Sequence, residues 1–299
     1  MIAPFLSQVL RISVPYLFAA LGGTFSERGG TINIALEGIL LTSAFAAAVA
    51  TYFTHDPWVG LGAAVIAGLL TALLHAVICV TFRADQIVSG IAINLLAAGL
   101  TRFLLKEIFG SSSNSPRVEG LPEWHLAGVG GIPVLGDILG SPLLLLAAIG
   151  VPVGHFLLYC TPFGLRLRAC GEHPEAADAL GVSVTRIRYA GILISGAVTA
   201  LGGAWLALDQ HSFTDGMSGG RGYIALAAMI VGKWSPLGAA GACLLFGAAE
   251  TLQIGLQGGA VPTQFIQMIP YLLTMVVLAG FIGRAAAPRM SGVPYRKEE

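Results

Sequence analysis

Charge is what this sequence has least of. Only 11% of its 299 residues are Asp, Glu, Lys or Arg, against 55% hydrophobic residues and a mean hydropathy of +0.79. A soluble domain carries roughly a quarter charged residues, so most of this surface is expected to face lipid. Neither sign is in excess, with 16 basic and 16 acidic residues, which argues against the basic face that a nucleic-acid partner demands. The four cysteines, Cys79, Cys160, Cys170 and Cys243, form no C-x-x-C pair. Three sit in apolar runs and read as buried thiols, with zinc or disulfide roles not expected. The chain start has no basic region before its apolar stretch, which Arg11 interrupts, so a cleaved signal peptide is not expected. Walker A (G-x-x-x-x-G-K-[ST]), the G-x-S-x-G elbow and H-E-x-x-H are all missing. The expectation is a non-enzymatic chain with no metal and no cofactor of its own; if ATP drives it, the ATPase is another polypeptide.

What is present is a series of apolar runs. A membrane span needs about 20 such residues. Eight stretches approach that length: 5–23, 33–53, 58–82, 86–105, 139–160, 189–209, 237–256 and 264–283. A ninth, 223–232, is short enough to be half of a broken helix. The fold expected is all-α and polytopic, with about nine spans (eight to ten). Two loops stand out. Residues 106–138 are polar and rich in Gly, Ser and Pro, and residues 161–188 hold Arg166, Arg168, Arg186 and Arg188. Placing 161–188 and the C-terminus in the cytoplasm puts eleven of the 16 Lys and Arg residues in cytoplasmic segments, and leaves five, Arg11, Arg102, Lys106, Arg117 and Arg221, on the other side and at span ends. The N-terminus then lies outside.

The chain also echoes itself. Ala20-Leu21-Gly22-Gly23 recurs as Ala200-Leu201-Gly202-Gly203, and Ile34-Ala35-Leu36 as Ile224-Ala225-Leu226, each of the latter after an Arg-Gly pair. Gln86, Ile91, Leu95 and Phe103 match Gln264, Ile269, Leu273 and Phe281 in the same order. The echoes suggest two inverted four-span repeats, a transporter architecture with the solute path at the repeat interface. The organisation expected is one transmembrane domain: a first repeat 1–105, an external loop 106–138, a linking span 139–160, a cytoplasmic loop 161–188, a second repeat 189–284 and a cytoplasmic tail 285–299.

Four segments carry the chemistry, three of them within or beside the spans and one in the basic loop. In Ser26–Gly38, Glu37 lies four residues after Asn33, on the same helix face. That face cannot point at lipid; it walls a solute path or bonds to a neighbouring helix. In Asp85–Asn94, Gln86, Ser89 and Asn94 form a stripe open to the same two readings. In Gly219–Leu226, glycines precede Arg221 and Tyr223, and a broken-helix N-terminus there could offer N–H groups to a solute. In Gly171–Val182, Pro174 suits a first helical turn and Gly181 a helix end, with small Ala176, Ala177 and Ala179 between. This short helix in a basic loop fits a partner's groove, or is an ordinary loop helix. His173 has no second metal ligand at a useful spacing.

Taken together, these motifs resemble the ABC-importer permeases of the branched-chain amino acid, ribose/galactose and nucleoside group. Within it they look most like the nucleoside, or simple-sugar, permeases paired with basic-membrane-lipoprotein receptors. The resemblance covers nearly the whole chain. It rests on Ser26-Glu27-Arg28 through Glu37-Gly38, Gly90 through Leu96, Phe163-Gly164 through Gly181-Val182, Gly220 through Met229, Gly232-Lys233-Trp234-Ser235-Pro236, Pro270 through Thr274 and Gly292-Val293-Pro294-Tyr295. It implies that Gly171, Glu172, His173, Pro174, Glu175, Ala176, Ala177, Ala179 and Gly181 form a coupling helix docking on a separate ATP-binding-cassette ATPase subunit. It also implies a second related permease subunit, identical or different, and an external solute-binding lipoprotein, all at the bacterial inner membrane. Nucleosides are then the expected solute, with ribose, galactose or branched-chain amino acids as alternatives. A stand-alone secondary transporter is a different class; it would use Glu37 or Glu250 for a coupling ion.

Overall fold

The computed structural model describes residues 2–124, 134–257 and 287–296, with isolated positions between 258 and 286. Its helices are α1 (Ile2–Arg28), α2 (Leu36–Thr54), α3 (Pro57–Ala76), α4 (Gln86–Phe109), α5 (Leu135–Gly140), α6 (Pro142–Cys160), α7 (Pro162–Glu172), α8 (Pro174–Ala179), α9 (Val184–Asp209), α10 (Arg221–Val231) and α11 (Pro236–Leu256). α3 continues into a π-helical segment, Val77–Thr81. Among the described residues no strand forms; Asn114 and Thr214 make an isolated antiparallel bridge.

Seven helices among the described residues are long and apolar enough to cross a membrane, and α10 is a shorter apolar one. Eight of the nine expected stretches thus coincide with a helix; the last, 264–283, falls almost wholly outside the described residues, so the count of nine is not reached here. Two boundaries move for a physical reason. α1 runs five residues beyond the expected 23 because Glu27 and Arg28 find partners inside the protein. α9 starts at Val184 because buried Arg188 donates to the carbonyl of Val293 at 3.0 Å and can stay in the helix.

Helix starts follow a repeated device. Asp56, Thr161 and Ser235 each accept a backbone N–H from the first turn of the helix they precede, and a proline follows each. The cap satisfies a donor that the helix cannot, and proline has none to satisfy. α9 is the hub, packed along α1, α2 and α3. Small residues bring these helices together. A Cβ on Gly196 of α9 would stand 2.8 Å from the carbonyl oxygen of Gly68 on α3, so the two backbones touch.

The bundle has two distinct ends. At one, Arg11 pairs with Asp209 at 2.8 Å and Arg102 with Asp215 at 2.9 Å, and the 111–118 segment bonds to 211–215. At the other, the end of α1 meets the α10–α11 turn, α7 and the 287–296 tail. α9 ends at the first and α11 begins at the second. Residues 210–235 therefore traverse the molecule with only α10 as helix.

Candidate translocation wall and coupling surface

Two non-helical segments flank the helices that meet here: Gly29–Ala35, buried between α1 and α2, and 210–220, which runs in from one end of the bundle to the start of α10 with Phe213, Met217 and Ser218 buried. Thr31, Asn33 and Ala35 are buried. Irregular backbone at such depth survives only where protein groups satisfy it. The polar side chains singled out in the sequence do much of this.

Gln86 accepts the Ile32 N–H at 2.7 Å. Ser89 contacts His75 Nδ1 at 3.0 Å, and His75 Nε2 lies 3.0 Å from the Ile32 carbonyl. A histidine protonated on Nε2 satisfies both contacts. Asn33 donates to Ser195 Oγ at 3.0 Å. These three candidates, Asn33, Gln86 and Ser89, are buried and form one group behind the first irregular segment.

A second group converges on the start of α10. The two carboxylate oxygens of Glu37 accept the backbone N–H groups of Gly220 and Gly222, each at 2.7 Å. The helix N-terminus expected to face a solute is therefore met by a carboxylate of the chain itself, the charge its dipole favours. Asn94 accepts the Gly38 N–H at 2.8 Å and donates to the Ile34 carbonyl and the Tyr223 hydroxyl, both at 3.0 Å. Arg221 donates to the Met217 carbonyl at 3.1 Å and pairs with Glu250 at 3.4 Å, and Glu250 also accepts the Tyr16 hydroxyl. Of the seven wall candidates, Tyr223 shows the most surface, with 47% exposed.

The segment 171–182 is helical over α8. His173 interrupts the run between α7 and α8, Pro174 opens α8, and Gly181 beyond it takes φ +80, a left-handed conformation suited to glycine. The face is not uniform. Ala177 is buried against Cys170 and Val184, whereas Glu175, Ala176 and Ala179 are exposed. Burial pushes the Cys170 thiol up to about 11. The tail holds the inner side of the segment: Met290 N donates to the Gly171 carbonyl at 2.9 Å and Arg289 N to Glu172 at 3.4 Å.

Sequence reasoning missed Ser195, His75 and Leu180. The first two are single polar residues in apolar runs, and nothing in their spacing points across to Asn33 or Ser89. Leu180 is 85% exposed at the tip of the 171–182 segment; a lone leucine beside a glycine in a basic loop was its only signal.

Residues 5–278 match the family described as branched-chain amino acid transport system / permease component. The guanosine ABC transporter permease protein NupQ of Bacillus subtilis is 43% identical over 95% of this chain and 94% of its own length. The nucleoside ABC transporter permease protein NupC of Lactococcus lactis is 40% identical over 98% of this chain and 96% of its own. A solved structure described as an inward-facing conformation of a metal-chelate type ABC transporter superposes with a TM-score of 0.52 at 17% identity, covering 92% of this chain and 85% of that one. That likeness concerns the fold alone.

Proposed function

The chain belongs to the branched-chain amino acid transport permease family, and from that premise we propose that it imports nucleosides along a wall formed at the start of α10. As a permease of an ABC transporter it is a multi-pass inner-membrane subunit and not an enzyme. It works with an ATPase subunit and a further permease subunit. The nucleoside reading draws support from the near full-length similarity to NupQ and NupC.

One observation carries the wall. Tyr223 is half exposed, and its hydroxyl is held by Asn94, which is itself fixed to two backbone groups. A fixed aromatic face is a stacking platform for a nucleobase, since every base has a π-face. Glu37 and the Arg221–Glu250 pair lie beside it, half-buried. Polar groups at this depth call for a water-filled path or a polar partner surface. Asn33, Gln86 and Ser89 support the wall from behind.

The segment 171–181 is assigned to ATPase docking, with Glu175, Ala176 and Ala179 outward and Gly171, Glu172, Pro174 and Ala177 holding it to the bundle. The coupling loop and the tail then face the cytoplasm and the N-terminus faces outside, an arrangement supported by the tail packing on the same end as α7 and α8. An external lipoprotein delivers the solute. The inverted repeat belongs to the same proposal and draws support from α2 and α10, which start side by side at Glu37 and Gly222 and run to opposite ends of the bundle.

Uptake of labelled nucleosides, ribose and leucine, in cells with and without this gene, tests the solute. Nucleoside uptake alone should fall when the gene is removed. A fall confined to ribose or leucine overturns the nucleoside assignment.

A further inference from the structure

α1 ends on Glu27 and Arg28, and both side chains reach the turn that joins α10 to α11. Glu27 is buried, and its carboxylate accepts the indole N–H of Trp234 at 2.5 Å. Arg28 donates from Nε to the Trp234 carbonyl at 2.7 Å and from Nη2 to the Lys233 carbonyl at 3.0 Å. The turn they hold is strained. Lys233 and Trp234 are consecutive non-glycine residues with φ of 56° and 51°. L-residues enter this left-handed region at a cost and stay there when the surroundings over-determine it. The turn's own hydrogen bonds close α10, with Lys233 N donating to the Ile230 carbonyl and Trp234 N to Met229, each at 3.0 Å. α10 is thus gripped at both ends, by Glu37 at its start and by Glu27 and Arg28 through this turn.

The same end of α1 abuts the coupling segment. A Cβ on Gly171 would collide with the carbonyl oxygen of Arg28, and one on Gly30 would stand 3.2 Å from Gly171 Cα. Arg28 also donates to the Tyr159 hydroxyl at 3.2 Å, and the Arg168 guanidinium of α7 lies 4.9 Å from the centre of the Tyr159 ring. No slack separates 161–172 from α1, or α1 from the α10–α11 turn.

We propose that Glu27, Arg28 and Trp234 are positioning residues of transport: they pass movement of the coupling segment to α10 by gripping a turn that would otherwise relax. The inference rests on the assignment of 171–181 to ATPase docking. A strained element relaxes once the bonds that impose it are released, so a second arrangement lies within reach, which is what a transmitted movement requires.

The test uses the whole importer in proteoliposomes, with its ATPase, second permease and receptor. ATP hydrolysis and uptake of nucleosides, ribose and leucine are measured for the wild type, Glu27→Ala, Glu27→Gln and Trp234→Phe. Glu27→Ala and Trp234→Phe should assemble and hydrolyse ATP, yet move about tenfold less solute per ATP, the scale of one lost hydrogen bond. Glu27→Gln keeps an acceptor for the indole and should stay near the wild type. Where Glu27→Ala fails to assemble, Trp234→Phe decides alone, because it keeps the ring and removes the donor. Wild-type uptake per ATP in Trp234→Phe, or loss of its assembly, overturns the inference. A wild type that carries ribose or leucine in place of nucleosides overturns only the solute, and the ratio is then read on that solute.

Discussion

Gly222 sits directly on Glu37: its N–H meets the Glu37 carboxylate at 2.7 Å, and a Cβ at position 222 would stand 2.5 Å from Glu37 Cα. The starts of α2 and α10 therefore touch backbone to backbone, and the carboxylate joins them. Gly222→Ala has no side-chain end to push aside. Overpacking of this kind costs about 1–3 kcal/mol, and here it also pulls the N–H from its acceptor. The variant should lose that much stability by thermal unfolding in detergent, and uptake should fall with it. Unchanged stability would mean that the two helix starts do not touch.

The ring of Tyr223 and its hydroxyl serve different ends in this arrangement, so two substitutions separate them. Tyr223→Phe leaves Asn94 with its bonds to Gly38 and Ile34 and keeps the stacking face. It should cost about 1 kcal/mol of stability and leave the apparent KM for nucleosides close to that of the wild type. Tyr223→Ala removes the face, and stacking on an aromatic is worth about 1–3 kcal/mol per base. KM should rise about tenfold or more by the same principle. Equal uptake kinetics in both variants would remove Tyr223 from the solute path.

Arg221 and Glu250 are each about a quarter exposed and 3.4 Å apart. Arg221→Met leaves Glu250 with Tyr16 as its remaining partner, and an unpaired carboxylate at this depth is costly. Partial exposure reduces the penalty below that of a fully buried pair, to about 1–3 kcal/mol. Adding Glu250→Gln removes the uncompensated charge, so the double variant should unfold at a higher temperature than Arg221→Met. Additive losses would show that the two residues act independently. A secondary transporter coupled through Glu250 would instead lose ion-driven uptake in the Glu250→Gln variant alone.

The segment 171–182 has an inner and an outer face, and substitutions should obey them. Ala177 is 4% exposed and packs on Cys170 and Val184, so Ala177→Asp buries an unpaired charge, at about 3 kcal/mol or more. It should reduce the amount of folded permease in the membrane. Leu180 is 85% exposed, and Leu180→Asp should change stability by less than about 0.5 kcal/mol. If Leu180 enters the ATPase groove, copurification of the ATPase should drop about 30-fold, as for an anchor residue worth 2 kcal/mol. Copurification at wild-type level in Leu180→Asp moves the docking contact elsewhere on the loop.

The fold was legible because lipid simplifies the code: eight apolar runs became helices. The short run at 223–232 announced α10 by length alone. What could not be read was direction in space. Ala176 and Ala177 are adjacent and chemically identical, yet one is exposed and the other buried, because a six-residue helix has too few residues to show a periodic face. Glu37 likewise read equally as a path residue or a helix bond. Its partners, Gly220 and Gly222, lie more than 180 residues away and meet it through backbone, which leaves no trace in side-chain pattern.

Orientation in the membrane can be tested on the unaltered chain. Cys79, Cys170 and Cys243 are buried and Cys160 is exposed. Cys160 closes α6 just before the coupling segment, so it marks that end of the bundle. Thiolate is the form that maleimides attack, and Cys170, raised to about 11 by burial, stays protonated as well as covered at about pH 7.5. A membrane-permeant maleimide should therefore modify Cys160 first, and Cys160→Ser should abolish the reaction. Under the proposed docking role of 171–181, which puts this end in the cytoplasm, an impermeant maleimide should label it in inside-out vesicles and leave it untouched in intact spheroplasts. Labelling from the outer face would invert the chain and, with it, the docking assignment of 171–181, since an ATPase cannot reach a segment on the far side of the bilayer.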